Sequence, residues 1–199
     1  MSENRQKHDF KNVKVSRLPP LPEPLDPVVY ELFEDTTSRG GSILNLHLTK
    51  AHAPKLSRAG RHTTRALRSE CVSSRLLREI AIVRTSILVG CAYEMHHHRP
   101  LALQAGLSEG QFEALLDWLP QRHQFNDQQQ ALLRYVDQLI LDKGNVDDAT
   151  FAGMEKHFSP QEIVELTLCA TQYYGSGLFM KAMQIRLDDP HKKAAPGKF

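Results

Sequence analysis

Residues 73–98, SSRLLREIAIVRTSILVGCAYEMHHH, decide the fold of this chain. Two serines at the start can cap a helix, the long apolar run that follows can fill it, and Gly90 ends it. Cys91 comes directly after that glycine and can open the next helix. The stretch therefore predicts two consecutive helices joined by a tight turn at Gly90.

The second of these helices gathers chemically active side chains on one face. Positions i, i+3, i+4 and i+7 of a helix lie on the same side. Here those positions hold Cys91, Glu94, Met95 and His98. A thiol, a carboxylate and an imidazole converge, which suits nucleophilic or acid/base chemistry. The structural alternative is that Cys91 is a small buried apolar residue.

The helix start also bears on the reactivity of the thiol. Unpaired backbone N–H groups and the helix dipole at a first turn stabilise an anion, so they lower the pKa of a thiol there. A protonated His98 adds to this effect, and an ionised Glu94 opposes it. The sequence leaves the balance of these opposing effects open.

From Pro27 onward the pattern is helical with short breaks. Ser108 and Gln111 form a capping-box pattern, and Ser159 is followed by a proline, as at many helix starts. We find no strand-like alternation of useful length and no hairpin signal. The sequence predicts an all-α fold, with helices near residues 27–36, 42–52, 54–68, 72–89, 91–105, 108–118, 127–142, 147–156, 159–172 and 174–186.

The motif resembles the carboxymuconolactone decarboxylase and alkylhydroperoxidase D (AhpD) superfamily. The peroxidase branch of that family has Glu, eleven residues, Cys, two residues, Cys, three residues and His. This chain has Glu79, Cys91, Glu94 and His98 in that frame, so three of four positions match. The flanks LREIAIVR and LALQAGLSEGQFEAL extend the similarity over residues 43–114, and more weakly to Ile185. The resemblance implies a compact AhpD-like helical domain that self-associates as a homo-oligomer.

The position that differs bears directly on activity. In the peroxidase branch, the resemblance implies that the second cysteine of the CxxC pair attacks peroxide and the first resolves the product. Here the attacking position holds Glu94, so this chain is a single-cysteine variant without a CxxC disulfide. A peroxidase cycle then needs Cys91 to attack, and an external thiol or a distant cysteine to regenerate it.

Glu79 lies on the preceding helix among apolar residues. Desolvation there would raise the pKa of its carboxyl and suit a proton shuttle. The structural alternative is an ion pair with Arg84 or Arg78. The resemblance favours a catalytic role, and it adds Glu79 to the catalytic set of Cys91, Glu94 and His98.

Three further residues are candidates for substrate binding or for support of this set. His97 can orient Glu94 or line the pocket, Tyr93 can form part of a pocket wall, and Arg84 can hold a substrate carboxylate. A metal bound by Cys91, Glu94 and the two histidines is the rival interpretation. We assign no metal and no cofactor, since the set lacks a second ligand pair elsewhere.

The chain divides into an arm, a domain and a tail. Residues 1–26 include RLPPLPEPLD, whose prolines favour an extended or disordered arm. Residues 27–187 form the predicted helical domain. Residues 188–199 follow as a predicted disordered tail.

Composition limits the partners. The net charge is +2, with 41% hydrophobic and 24% charged residues, and no basic cluster suggests nucleic-acid binding. We find no run of about 20 apolar residues and no apolar secretion segment at the start, so we expect no membrane association. Three widely spaced cysteines fit reduced thiols in the cytoplasm.

Three functions follow as hypotheses, each with a small-molecule substrate or ligand. The first is a peroxiredoxin-like, thiol-dependent peroxidase in which Cys91 attacks a hydroperoxide and an external thiol reduces it. The second is a cofactor-free decarboxylase or isomerase of a small carboxylated lactone, with Glu94 and His98 as the working pair. The third is a non-catalytic helical oligomer that binds a small apolar ligand. The preserved Glu, Cys and His frame favours the first.

Overall fold

The computed structural model describes residues 13–189 and 191–192. Within this part all regular secondary structure is helical, which confirms the all-α prediction. The α-helices in chain order are α1 Pro27–Ser38, α2 Asn45–Lys50, α3 Pro54–Ser69, α4 Arg75–Val89, α5 Ala92–Gln104, α6 Glu109–Ala114, α7 Asp127–Leu141, α8 Asp148–His157 and α9 Pro160–Met183. Two 3-10 turns, Leu115–Asp117 and Arg122–Gln124, lie between α6 and α7.

The predicted arm and tail lie only partly within the described residues. Residues 1–12, 190 and 193–199 fall outside them. Residues 13–26 form neither helix nor strand, and Leu21 among them is buried. In the predicted tail, Asp188 is buried and accepts a hydrogen bond from the backbone N–H of Asn45 at 2.7 Å.

The described residues divide into two compact units, one formed by residues up to 61 together with those from 183 onward, and the other by residues 62–182. The first unit has a small apolar core contributed by α1, α2 and the segment before α1. Its buried members are Leu21, Val29, Phe33, Ile43, Leu48 and Ala51.

The second unit is organised around α4, which packs along α5 and α7. Eleven of the fifteen residues of α4 are buried, and five of those eleven are polar or charged, among them Glu79 and Arg84. Ser74 caps its start by accepting a hydrogen bond from the backbone N–H of Leu77. The main core around it includes Ile80, Leu132 and Leu166, contributed by α4, α7 and α9.

The longest helix differs from its prediction. The sequence suggested separate helices at 159–172 and 174–186, but α9 is continuous over Pro160–Met183. Glycines cost a helix only about 1 kcal/mol each, so Gly175 and Gly177 do not break it. Gly177 marks a close approach instead, since a β-carbon there would lie 3.0 Å from Val89 Cγ1. No helix among the described residues has the length and apolar character needed to cross a bilayer.

This contact predicts the effect of one added methyl group. Gly177→Ala would place a β-carbon 3.0 Å from Val89 Cγ1 and 3.4 Å from Cys91 Cβ. Overpacking costs about 1–3 kcal/mol and the gain in helix propensity returns about 1 kcal/mol. We expect a net loss of about 1 kcal/mol in the free energy of unfolding, measured by urea denaturation.

Gly153→Ala in α8 is the matched control. A β-carbon there has no atom within 4 Å, so the propensity gain should appear alone and stabilise the protein. If Gly177→Ala and Gly153→Ala raise the free energy of unfolding by the same amount, α9 does not constrain the turn that holds Cys91.

Candidate functional site

A glycine turn sets the position of Cys91. Gly90 ends α4 in the left-handed conformation, with φ 68° and ψ 42°, which favours glycine. The backbone N–H of Cys91 then donates to the Ser86 carbonyl at 2.9 Å. Lys181 of α9 donates from its Nζ to the Val89 carbonyl at 2.6 Å, so a cation also caps the end of α4. Cys91 becomes the N-cap residue of α5.

A buried hydrogen bond links α4 to α5 at the centre of the site. The Nδ1 of His98 lies 2.8 Å from Oε2 of Glu79, and both side chains are almost completely buried. The other carboxylate oxygen of Glu79 pairs with Arg75, one turn earlier on α4. Arg75 thus fills the structural role that the sequence gave to Arg84 or Arg78.

The carboxyl of Glu79 is more acidic than the sequence suggested. Burial raises its pKa, but His98, Arg75 and Arg68 together lower it further and hold it below the ordinary value. The expected upward shift is therefore wrong, because three cationic or hydrogen-bonding partners outweigh desolvation. An ionised carboxylate only accepts hydrogen bonds, so the Nδ1 of His98 carries a proton.

The second ring nitrogen of His98 faces Glu94. Its Nε2 lies 3.5 Å from Oε2 of Glu94, one helical turn earlier, and both residues are buried. Glu79, His98 and Glu94 form a row with the imidazole in the middle. Since Glu79 holds Nδ1, Nε2 is the nitrogen that can exchange a proton with Glu94. The ring of Tyr173 packs edge-on against the imidazole, with centroids 4.9 Å apart.

Opposing influences act on Cys91, which is only 1% exposed. Burial raises the pKa of its thiol, and the charge of Glu94 raises it further. The backbone N–H groups of Glu94 and Tyr93 and the charge of Lys181 lower it, although no capping hydrogen bond forms to the sulfur. The net pKa is above the ordinary value. The thiol is therefore mostly protonated at neutral pH, even though it stands at a helix start.

Arg68 is a part of the site that the motif did not reveal. Its guanidinium lies beside the hydroxyl of Tyr173, and its positive charge also acts on Glu79 and Glu94. Burial raises the pKa of Tyr173, so its hydroxyl stays protonated. The Nε of Arg68 is buried and has no hydrogen-bond partner among the residues that the structure describes. This nitrogen is a donor next to the carboxylate and imidazole row.

Tyr93 and His97 form a pair at the edge of α5. Their rings lie 4.6 Å apart, one helical turn from each other, and Tyr93 is buried while His97 is half-buried. His97 also meets the ring of the exposed His96, with centroids 5.3 Å apart. The ring contacts of His97 therefore run along the helix surface, and its assignment to substrate binding stays a prediction.

Arg84 is held by hydrogen bonds that connect three segments of the fold. It makes two hydrogen bonds to the carboxylate of Asp137, at 2.5 Å and 3.0 Å, and donates to the Leu115 carbonyl at 2.8 Å. The indole N–H of Trp118 donates to the same carboxylate at 2.8 Å. These bonds join α4 to α7 and to the turn after α6, and they do not bring Arg84 to the Cys91 face.

The other two cysteines lie in a small apolar cluster that shares Tyr173 with the site. Cys169 is buried among Leu67, Ile82 and Tyr173, and Cys71 packs against this cluster. Burial raises the pKa of Cys169 to about 12, so it is a poor nucleophile. Over residues 13–189 and 191–192, no three His, Cys, Asp or Glu side chains are arranged to hold a metal ion.

Sequence reasoning missed the residues that come from distant segments. Arg68 and Lys181 lie on α3 and α9, outside the motif helices. Nothing in their spacing pointed to the site. Arg75 had a usable signal, because it stands four residues before Glu79 and such pairs meet on a helix.

The fold matches that of the AhpD-like all-α proteins. Residues 54–137 match the model of the carboxymuconolactone decarboxylase family. This match confirms, over that segment, the resemblance that the sequence indicated. No curated protein matches the sequence significantly.

Solved structures share the fold at low sequence identity. An uncharacterized peroxidase-related protein from Ralstonia eutropha JMP134, with an alkylhydroperoxidase AhpD core, is 20% identical with a TM-score of 0.76, covering 88% of this chain and 94% of that one. A peroxidase-related protein from Silicibacter sp. TM1040 is 16% identical with a TM-score of 0.74, covering 90% and 93%. The debrominase Bmp8 is 18% identical with a TM-score of 0.67, covering 89% and 93%.

The lowered pKa of Glu79 predicts a pH-dependent contribution to stability. Glu79→Gln should lower the free energy of unfolding by about 3 kcal/mol at pH 7, since it breaks a buried charged cluster. The folded-state pKa lies below the ordinary value near 4.3, so the wild-type advantage is complete above that pH and lost as pH falls through the folded-state pKa.

Urea unfolding of both proteins from pH 7 to pH 3 measures this gap. It should stay constant down to about pH 5 and then narrow. Glu113→Gln, at an exposed position of α6, is the control and should track wild type throughout. A Glu79→Gln gap that widens in acid would mean that the carboxyl has a raised pKa.

The raised pKa of Cys91 predicts slow alkylation at neutral pH. Only the thiolate reacts, so the rate at Cys91 should rise roughly tenfold per pH unit from pH 7 to beyond the ordinary pKa near 8.5. Glu94→Gln removes a charge that raises this pKa, so alkylation should become faster at each pH. Iodoacetamide labelling with peptide mass spectrometry resolves Cys91 from the other thiols. A rate plateau below pH 8 would contradict the raised pKa.

Proposed function

We propose that this chain is a peroxidase-type enzyme in which the Cys91 thiol reduces a small hydroperoxide. The observation that carries the proposal is the placement of a thiol at a helix N-terminus, one turn from the buried Glu79, His98 and Glu94 row. Peroxidase-related proteins of the same fold support it. The residue that replaces the second cysteine of the peroxidase branch becomes a proton carrier here.

The reaction begins with loss of the thiol proton. Glu94 accepts it, because its carboxylate is close enough to act on Cys91 and also faces Nε2 of His98. The sulfur then attacks the terminal peroxide oxygen of ROOH, so that a sulfur–oxygen bond forms and the oxygen–oxygen bond breaks. The proton held by Glu94 and His98 passes to the leaving alkoxide, which departs as an alcohol. Cys91 is left as a sulfenic acid.

Regeneration needs a thiol from outside the site. One external thiol condenses with the sulfenic acid to a mixed disulfide and releases water, and a second thiol displaces Cys91 and leaves as a disulfide. Cys169 is an unsuitable internal partner, since it is fully buried with a strongly raised pKa. The burial of Cys91 favours hydrogen peroxide and small alkyl hydroperoxides over bulky ones.

Glu79 serves this cycle through the imidazole. Its ionised carboxylate accepts from Nδ1, so the tautomer of His98 is fixed and Nε2 points at Glu94. Arg75 balances the buried charge. Glu79 is therefore a positioning residue in this proposal, while Cys91, Glu94 and His98 touch the reacting atoms.

Peroxide consumption with dithiothreitol as reductant tests the proposal. Cys91→Ser should abolish turnover, and His98→Gln should slow it by about 10²-fold or more through loss of proton transfer. Cys71→Ser is the matched control, because it removes a thiol outside the site and should keep full activity. Trapping with dimedone should label Cys91 after peroxide treatment. Turnover that persists in Cys91→Ser would overturn the proposal.

A second candidate is acid/base catalysis on a small carboxylated lactone. One observation favours it: the buried Nε of Arg68 has no partner within the described residues and stands beside the row, where a substrate carboxylate can accept its hydrogen bond. Glu94 and His98 then work without the thiol. In this case Cys91→Ser keeps turnover, His98→Gln abolishes it, and Arg68→Met raises KM for the carboxylated substrate.

A further inference from the structure

One row of residues on α9 touches successive parts of the candidate site. Tyr173, Gly177 and Lys181 are spaced four residues apart, so each is a neighbour of the next on the helix surface. Tyr173 packs edge-on against the imidazole of His98, with ring centroids 4.9 Å apart. A β-carbon at Gly177 would lie 3.4 Å from Cβ of Cys91. Lys181 follows in this row, beside the turn that carries the thiol.

The ammonium group of Lys181 lies at the C-terminal end of α4. Its Nζ donates to the Val89 carbonyl at 2.6 Å, and a β-carbon built on Gly90 would lie 3.5 Å from the same nitrogen. Val89 and Gly90 are the two residues directly before Cys91. A positive charge is therefore held at the turn that leads into the thiol.

Two backbone hydrogen bonds already close this end of α4. The N–H of Gly90 donates to the Ile87 carbonyl and the N–H of Cys91 donates to the Ser86 carbonyl, both at 2.9 Å. Many helices end in this way at a glycine without help from a side chain. Holding a long lysine side chain in one position costs conformational entropy. The additional bond from a lysine at this end therefore indicates a use for its charge.

We propose that Lys181 is a positioning residue for the Cys91 thiolate. Its side chain keeps the turn closed, and its charge stabilises the anionic sulfur. The inference rests on the proposed function, in which Cys91 attacks after its proton has passed to Glu94. Glu94 of α5 and Lys181 of α9 are the charged side chains with the largest influence on this thiol, and they act in opposite directions.

The charge of Lys181 becomes more useful as the proton moves. Before the transfer, the negative charge is on the Glu94 carboxylate, which faces Nε2 of His98. After the transfer, the negative charge is on the sulfur of Cys91, next to the turn that Lys181 holds. An attraction that grows during a step lowers the barrier of that step. Lys181 thus supports the attack without contacting the peroxide.

Iodoacetamide labelling of Cys91 tests this role without peroxide. Lys181→Met keeps a long apolar side chain and removes the charge, so the labelling rate at pH 7 should fall roughly threefold, as for one charge lost at a helix end. Lys181→Arg should restore most of the wild-type rate. Lys181 is exposed, and the Debye length is about 3 Å at about 1 M salt, so sodium chloride at that concentration should bring Lys181→Met and wild type to the same rate.

Glu165→Ala is the matched control, because it breaks a contact of α9 near the other end of α4. The Glu165 carboxylate accepts hydrogen bonds from the backbone N–H groups of Val72 and Ser73, at 3.1 Å and 2.8 Å. Its loss loosens the packing of α9 and leaves the charges at the thiol in place, so the labelling rate should stay at the wild-type value. Equal slowing in Glu165→Ala and Lys181→Met would overturn the proposal, as would a loss in Lys181→Met that persists in high salt.

Peroxide turnover separates this inference from the proposed function. In an enzyme whose turnover requires Cys91, kcat/KM of Lys181→Met should fall by the same factor as the labelling rate, and an unchanged kcat/KM would overturn the proposal. If Cys91→Ser keeps turnover, the peroxidase function fails. A salt-sensitive slowing of labelling in Lys181→Met would even then support the action of Lys181 on the thiol.

Discussion

The hydrogen bond between Glu79 and His98 is the constraint on which the rest of the site depends. It joins α4 to α5 across a buried interface, where an unpaired carboxylate would cost several kcal/mol. His98 and Arg75 make the burial of Glu79 tolerable. Because the bond fixes the rotation of α5, it also determines where the Cys91 and Glu94 side chains of that helix stand. The same hydrogen bond therefore sets both the packing of α4 against α5 and the arrangement of the reactive side chains.

The imidazole of His98 lies between two carboxylates, and proton transfer takes place on only one side of the ring. Glu79 is held as an acceptor by its cationic neighbours, so the proton that can move lies on the Glu94 side of the ring. Cys91 stands on that same side, at the start of α5. The helix start alone does not make the thiol acidic, because burial outweighs the backbone N–H groups. Activation of the thiol thus depends on a base, which is the role proposed for Glu94.

Much of the fold and the core of the site follow from the sequence, because they rest on local patterns. Helical spacing placed Cys91, Glu94 and His98 together, and Gly90 predicted the turn. The continuity of α9 was missed, because the two glycines at 175 and 177 resembled a helix break. The reason for a glycine at 177, its close approach to Val89, is visible only in the structure. The pKa of Glu79 was assigned the wrong sign for a similar reason. Its shift depends on Arg68, which comes from a distant helix and has no signal in the motif.

The contact of Gly177 with Val89 and Cys91 has an evolutionary consequence. The Val89 and Cys91 side chains already fill the space next to Gly177, so a change at any of these positions restricts the other two. A lineage that acquires alanine at 177 needs a smaller residue at 89 before the turn can keep its shape. Residues 89, 91 and 177 should therefore change together in related chains. Such paired changes would show, from sequences alone, that these three residues are in contact at the turn that holds the thiol.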